Sequence, residues 1–282
     1  MVNKRFVWVA VLVMVTLSSL ASASIKGNGT MMTKEIKVSE YTSIRMGGNI
    51  STSFGNMVKS LFSGENKDSA TPIFIYTQKA GSPTVKVTID SNLYDYLDIH
   101  VENRQLVVGT KNNKQLNPTR YEIRSHSASL NEVKVGGSSD FRIDGQLTTN
   151  ALTLKISGSG SIRAKENVKS GTINAGVSGS GNLYLTNLLT NDLEVRISGS
   201  GNANLGGSSQ RGDFAVSGSG NVNAYDCRIN ELSCSVSGSG DMKVQALKRL
   251  KASVSGSGDV AYKGTPAVDI HTSCSGSIHQ VN

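Results

Sequence analysis

The side chains of this chain that could act together chemically are a row of aspartates and asparagines, each one residue after a glycine-rich motif. The row consists of Asp140, Ser161, Asn182, Asn202, Asn221, Asp241 and Asp259. If the motifs stack on one another, Asn side chains can hydrogen-bond from layer to layer as a ladder. Adjacent carboxylates, such as Asp241 and Asp259, would instead repel one another unless water or a cation lies between them.

A calcium site is the alternative to a ladder, and the spacing of the motif argues against it. Calcium-binding β-helix repeats place one residue between the glycine and the aspartate. Here Asp241 and Asp259 directly follow Gly240 and Gly258, which favours exposed carboxylates at corners of the chain. The predicted site is therefore a structural corner ladder, formed by Asp140, Asn182, Asn202, Asn221, Asp241 and Asp259. No metal, cofactor or catalytic residue is predicted.

The motif itself, Ser-Gly-Ser-Gly, does not match known catalytic loops. A nucleophile elbow needs Gly-x-Ser-x-Gly between a strand and a helix, and a dinucleotide-binding loop needs a third glycine followed by a helix. Six serines in equivalent positions indicate a structural role, because covalent catalysis needs one activated residue. His271 and His279, near the C-terminal turn, are predicted surface residues rather than metal ligands.

The motif repeats at a steady spacing. Full copies start at Ser157, Ser178, Ser198, Ser217, Ser237 and Ser255, with degenerate copies at Gly136 and Ser275. The intervals are 18 to 21 residues, a regularity that a flexible Gly/Ser linker has no reason to keep. The residues immediately before the motifs are Val135, Ile156, Val177, Ile197, Val216, Val236, Val254 and Cys274. Apolar residues continue at every second position on both sides, which is typical of strands with one buried face.

These repeats predict the fold class. About twenty residues are too few for a strand-helix-strand unit, which takes roughly 30 or more. Equivalent strands can instead stack, with each coil advancing about 4.8 Å. We therefore expect an all-β fold, a parallel β-helix (solenoid) of about twenty-residue rungs with Ser-Gly-Ser-Gly-Asn/Asp corners. Glycine permits the backbone angles and the close stacking that such corners require.

The three cysteines receive separate predictions. Cys234 and Cys274 occupy positions that are otherwise apolar and inward, so we expect both to be buried free thiols. A bridge between Cys227 and Cys234 stays open, because spacing alone does not decide a disulfide pairing.

The chain divides into three parts. Residues 1–23 carry Lys4 and Arg5, an uncharged apolar run and an Ala-Ser-Ala cleavage site, the features of a secretory signal peptide. Residues 24–130 lack the motif but contain strand patterns, and we expect this N-terminal β region to cap or extend the solenoid. Residues 131–282 form the repeat β-helix. Within the N-terminal region, Ser51–Ala70 is polar and is predicted to be an exposed insertion.

Export and the distribution of charge restrict the kinds of partner that the protein can bind. The formal net charge of +8 becomes +6 without Lys4 and Arg5, and the basic residues are spread along the chain. This distribution is typical of a soluble surface and does not favour a nucleic-acid partner. Beyond the signal peptide no segment is long and apolar enough to span a membrane. We expect the protein in the periplasm, at the outer-membrane surface or outside the cell, and the sequence leaves its oligomeric state open.

The corners, clearest at Ser178–Asn182 and Ser237–Asp241, resemble those of the putative auto-transporter adhesin, head GIN domain family. The N-terminal block resembles the same family at Gly47–Ile50, Val85–Ile89 and Gln105–Val108. The resemblance spans most of the mature chain. It implies a parallel β-helix-like fold, export to the envelope of Bacteroidetes-type bacteria and an adhesive role, and it implies no catalytic residues.

Two functions are consistent with these features. The first is a non-enzymatic exported envelope protein, an adhesin or module that binds extracellular glycan or another surface polymer. The second is a carbohydrate lyase or hydrolase on the same scaffold. An active site would be expected in the variable return segments, whose polar residues show no recurring cluster. They are Asp144, Lys165, Glu166, Asn187, Asp192, Arg211, Asp226, Glu231 and Lys248. The sequence therefore favours the binding protein.

Overall fold

The computed structural model describes residues 24–47 and 71–281. The predicted signal peptide at residues 1–23 and the predicted insertion at Ser51–Ala70 lie outside these described residues.

The described chain is all-β. The N-terminal strands are β1 Ile25–Lys26, β2 Met31–Lys37, β3 Ser43–Met46, β4 Ile73–Gln78, β5 Thr84–Asp90, β6 Leu97–Glu102, β7 Gln105–Thr110, β8 Leu116–Asn117 and β9 Tyr121–Ser127. The repeat strands are β10 Glu132–Gly137, β11 Asp140–Ile143, β12 Leu147–Gly158, β13 Ser161–Ala164, β14 Val168–Gly179, β15 Asn182–Gly199, β16 Asn202–Gly218, β17 Asn221–Gly238, β18 Met242–Gly256, β19 Val260–Lys263, β20 Ala267–Ser273 and β21 Ile278–Gln280. Two short 3-10 helices are present, at Tyr94–Tyr96 and Lys111–Asn113.

The repeat strands form a parallel β-solenoid of about seven turns, as predicted. From β10 to β21, strands of equivalent position pair parallel with those of the next coil. The register follows the sequence repeat: Val195 pairs with Phe214, and Phe214 pairs with Cys234. Each coil therefore rests on its neighbours, which is how a solenoid buries apolar surface that one rung alone cannot bury.

Each coil contains three strand segments. They are clearest in β15, where a shift in the register of pairing between Leu185 and Leu188 separates the first segment from the second. We call the outward side of the segment after the corner (Asn182–Leu185 in β15) face A. Face B is the outward side of the short segment that follows (Leu188–Thr190). Face C is the outward side of the long segment before the next corner (Asp192–Ile197).

The core is a set of stacked apolar columns along the solenoid axis. The column immediately before the corners is buried in seven coils, at Val135, Ile156, Val177, Ile197, Val216, Val236 and Val254. Near the N-terminal end the core contains aromatic rings, and Phe74 stacks on Phe141 with 5.3 Å between ring centroids. In these seven coils, alternation in the sequence thus correctly identified which side chains point inward.

The N-terminal strands continue the stack and then cover its end. β3 and β4 pair parallel with β10 and β11, and on their other sides they pair parallel with β7 and β9. The outer strands β2 and β6 run antiparallel to β5 and β7. The buried carboxylate of Asp90 ties the loops together, since it accepts hydrogen bonds from the backbone N–H groups of Gly29 and Thr119 at 2.7 Å each. The domain boundary near residue 130 stays a prediction.

The last coil corrects the predicted register. Val254 pairs with Thr272 and Ser255 with Ser273, so the eighth corner starts at Ser273, two residues earlier than predicted. Cys274 therefore occupies the position of a corner glycine, with φ of 81°, and its thiol is exposed rather than buried. The alternation could not reveal this error, because a shift of two residues leaves every side chain on the same face.

The other two cysteines are free thiols inside the core and do not form a disulfide with each other. Burial raises the pKa of the Cys227 thiol to about 12, and it also raises the pKa of Cys234. Neither thiol is a reactive nucleophile in this state, because the thiolate is the reactive form.

Candidate functional site: the corner ladder and the face C groove

Each corner is built around a glycine with positive φ. At Gly199, Gly218 and Gly238 φ is 123°, 125° and 134°, a region that side chains rarely adopt. A Cβ atom at Gly218 would lie 2.6 Å from the carbonyl oxygen of Gly199 in the preceding coil. The corners therefore stack backbone on backbone, and glycine is required there for both reasons.

The predicted ladder residues lie in one column beside these corners. Asn202 donates from Nδ2 to Oδ1 of Asn182 at 3.0 Å, and Asn221 donates in the same way to Asn202 at 3.0 Å. In the following coils the donor is a backbone N–H: Asp241 N donates to Asn221 Oδ1 at 3.0 Å and Asp259 N donates to Asp241 Oδ1 at 2.9 Å. At the other end of the column, Asp140 Oδ1 accepts from the backbone N–H of Ser161 at 3.1 Å.

The aspartate side chains of this column accept hydrogen bonds from groups in the next coil. Ser277 donates its hydroxyl and its backbone N–H to Asp259 Oδ1, both at 2.8 Å. These hydrogen bonds hold the pKa of Asp259 below its ordinary value. Among the described residues, no group of three or more His, Cys, Asp or Glu side chains is placed to hold a metal ion. His271 is exposed on β20, and His279 Nδ1 lies 3.2 Å from Ser277 Oγ.

A separate feature lies on face C, where a groove of about 800 Å³ crosses six neighbouring strands, β14 to β18 and β20. Its lining includes Leu193 and Leu232, which are buried core positions of the same strands, and its polar groups stand in rows across the coils. One row alternates in charge: Asp192 pairs in register with Arg211, Arg211 with Glu231, and Glu231 with Arg249.

The charged groups of the face C groove form exposed ion pairs. Arg211 Nε lies 2.6 Å from Asp192 Oδ1, and Arg249 Nη2 lies 3.2 Å from Glu231 Oε1. The hydrogen bond from Arg211 lowers the pKa of Asp192, and the same contact raises the pKa of Arg211. These groups are solvated, so the pairs orient the side chains more than they stabilise the fold.

Buried hydroxyls fix the backbone where the groove begins. Ser170, Thr190 and Ser209 lie in one buried column at the bend before face C. Their hydroxyls donate to the carbonyl oxygen two residues ahead, at 2.8 Å for Ser170, 3.0 Å for Thr190 and 2.7 Å for Ser209. Each bend is thereby held in the same shape, which keeps the side chains of successive coils in register on face C.

The alternating row was missed by the sequence reasoning, which treated the charged residues of the return segments as unrelated. The structure brings Asp192, Arg211 and Glu231 together with Arg249. The signal was present in the sequence, since each of these residues stands six positions before the first serine of the next corner motif. Counting from the corners, rather than searching for clusters along the chain, would have found the row.

Face A carries a second, smaller cleft of about 520 Å³, lined by Arg124, Arg142, Arg163 and Lys165 among others. The guanidinium of Arg163 lies over the ring of Tyr184, 4.0 Å from its centroid. The acidic side chains of Asp140, Asp144 and Glu166 line the same cleft and offset its positive charge.

The comparisons with known proteins agree with the architecture. The family model described as "Putative auto-transporter adhesin, head GIN domain" matches residues 70–266. A solved structure of a putative lipid binding protein from Parabacteroides distasonis is 31% identical, with a TM-score of 0.82 over 92% of this chain and 100% of that one. Putative adhesins from Parabacteroides merdae and P. distasonis are 28% and 30% identical, each with a TM-score of 0.80 over 92% of this chain and 99% and 100% of theirs. The search of curated proteins found no match.

Within residues 24–47 and 71–281, no helix has the length and hydrophobicity needed to cross a membrane.

Proposed function

Because this chain belongs to the putative auto-transporter adhesin, head GIN domain family, we propose that it is an exported adhesin that binds an extended glycan along the face C groove and catalyses no reaction. The family indicates a surface or exported protein. The periplasm, the outer-membrane surface and the extracellular medium all agree with that placement.

The observation that carries the proposal is the repetition of polar groups across the groove. A hydrogen-bonding carboxylate or guanidinium recurs at the same position in each of four coils, Asp192, Arg211, Glu231 and Arg249. Adjacent coils are about 4.8 Å apart, so the six strands of the groove span about 24 Å. An extended polymer that lies along it contacts several coils at once, and its linked weak contacts add through their effective concentration.

At Asp192 the electrostatics favour binding over general-acid catalysis. A glycosidase needs a carboxylic acid whose pKa is raised so that it can donate a proton. The pKa of Asp192 is shifted in the opposite direction by Arg211. A carboxylate that is already ionised and paired is suited to accept hydrogen bonds from sugar hydroxyls, and it is a poor general acid.

The proposal is tested by glycan-array screening of the purified chain, followed by calorimetry with an oligosaccharide series of the best binder. We expect affinity to rise with oligomer length until the ligand spans the groove. The double variant Arg211→Ala/Arg249→Ala should weaken binding at least tenfold. The matched control, Arg142→Ala/Lys243→Ala on face A, removes the same formal charge and should bind as the unmodified chain does.

Three results would contradict the proposal. The first is a monosaccharide that binds as tightly as its oligomers. The second is equal loss of binding in both double variants, which would indicate general charge attraction. The third is turnover of a polysaccharide, which would indicate a carbohydrate-active enzyme. A flotation assay with phospholipid vesicles adds a fourth: vesicle binding without glycan binding would replace the glycan with a lipid, the ligand class named for the putative lipid binding protein from P. distasonis.

A further inference from the structure

The C-terminal end of the solenoid carries an edge strand with bare apolar side chains. β20 pairs with β18 on one side, and no described strand forms a ladder with its other side, since β21 pairs with β19 and β2 with β5. Val268 and Ile270 are 48% and 46% exposed. Their partners one coil earlier, Leu250 and Ala252, are each 1% exposed. The two exposed side chains thus occupy core positions that lack a covering coil.

The opposite end of the solenoid is protected. Its outer strands, β2 and β6, carry charged residues along their length, among them Lys34, Glu35 and Lys37 in β2. Charged side chains on an edge strand, lysine above all, hinder pairing with another chain. β20 contains no lysine or arginine, and its two titratable side chains are Asp269 and His271. The difference marks β20 as an edge open to pairing.

We propose that β20 is a dimerisation edge, on which a second copy of this chain pairs antiparallel about a two-fold axis through Ile270. In this register Asp269 of each copy lies opposite His271 of the other, and Val268 lies opposite Thr272. The strand is therefore complementary to itself, as an interface with two-fold symmetry must be, because each Asp269 carboxylate faces a His271 ring that can donate a hydrogen bond to it.

Other centres of symmetry within the strand are less favourable. A centre at Asp269 or at His271 places two identical titratable groups directly opposite each other, which is destabilising when both are charged. A centre between two residues would place an inward side chain opposite an outward one, which conflicts with the alternation of the sheet. Ile270 is the centre that pairs Asp269 with His271 and keeps the apolar side chains on the inner face.

The interface is small, since it contains seven residues of β20 and the neighbouring segments from each copy. Small interfaces are typical of weak and transient complexes. We therefore expect a dimer whose population depends on protein concentration, and analytical ultracentrifugation of the exported chain across a concentration series should show a shift from monomer to dimer mass.

The variant Ile270→Asp should remain monomeric at every concentration, because it places two carboxylates on the symmetry axis. Leu189→Asp is the matched control: Leu189 is an exposed apolar residue, 53% exposed on face B, and its replacement should leave the dimer unchanged. His271→Asp should weaken the dimer by setting carboxylates opposite each other, and adding Asp269→His should restore it, because the carboxylate and the imidazole then face each other again with their positions exchanged.

Cross-linking tests the register in a Cys274→Ser background. In antiparallel pairs, opposite Cα atoms are about 4.5 to 5.5 Å apart, which is within disulfide reach. Ile270→Cys should oxidise to a covalent dimer, whereas Val268→Cys should do so only when mixed with Thr272→Cys. A chain that stays monomeric throughout, a dimer that survives Ile270→Asp, or cross-linking of Val268→Cys alone would each overturn the proposal.

Discussion

At the scale of single residues, the corner glycines carry the strictest requirement in the molecule. Gly218 combines φ of 125° with a backbone carbonyl that lies where a Cβ atom would be. A side chain there must strain the backbone and also push two coils apart. Gly176, three residues before the equivalent corner glycine Gly179, has neither constraint.

We therefore expect Gly218→Ala to destabilise the fold by about 2 kcal/mol or more, a typical size for backbone strain of this kind. Gly176→Ala should be neutral or slightly stabilising, because no atom lies within 4 Å of the added carbon and alanine loses less entropy on folding than glycine does. Urea denaturation of the two variants measures the difference. Equal stability of both would show that the corners do not stack as tightly as described.

Individual residues also show how much of the structure could be predicted from the sequence. Val216 and its equivalents were correctly placed in the core, because strict alternation leaves one choice of face. Cys274 was misplaced, because alternation cannot distinguish shifts of two residues and its corner lacks the first glycine. Arg211 and Asp192 could have been aligned by counting from the corners. The antiparallel pairing of β2 and β5 could not have been predicted, since the N-terminal strands do not repeat.

At the scale of an element, the corner ladder changes its chemistry along the solenoid. Asn202 donates to Asn182 and accepts from Asn221, so in this part of the column side chain bonds to side chain. Asp241 and Asp259 are acceptors when ionised, and each accepts a backbone N–H of the next coil instead. This alternative linkage gives each of the two carboxylates in adjacent layers a backbone donor from the next coil.

Asn202→Ala tests whether the ladder contributes to stability. Asn202 makes one side-chain hydrogen bond to the coil before it and one to the coil after it. Because the column is partly solvated, we expect a loss of about 1 kcal/mol, the net value typical of such hydrogen bonds. Asn204→Ala, a neighbouring outward position on face A, serves as the control and should change stability less. Identical denaturation midpoints for the two variants would count against the ladder.

At the scale of the whole molecule, nearly every contact of the repeat region joins one coil to the next. Such an arrangement gives a stability that is approximately the sum of the individual coils and their interfaces. This additivity matters for the face C groove, because a ligand that spans several coils would link neighbouring coils to one another. We infer that a bound glycan would stabilise the repeat region against partial unfolding.

The direction of the hydrogen bonds between coils has a mechanical consequence. These bonds run along the solenoid axis, so tension between the two ends of an attached protein loads them one coil at a time. Each released coil frees about twenty residues, or about 65 to 70 Å of extended chain. When a single molecule is stretched by its two ends, its length should increase in a series of such steps at low force. One abrupt extension of the whole repeat region would contradict this prediction. A solenoid built in this way lengthens in steps under tension before it unfolds completely.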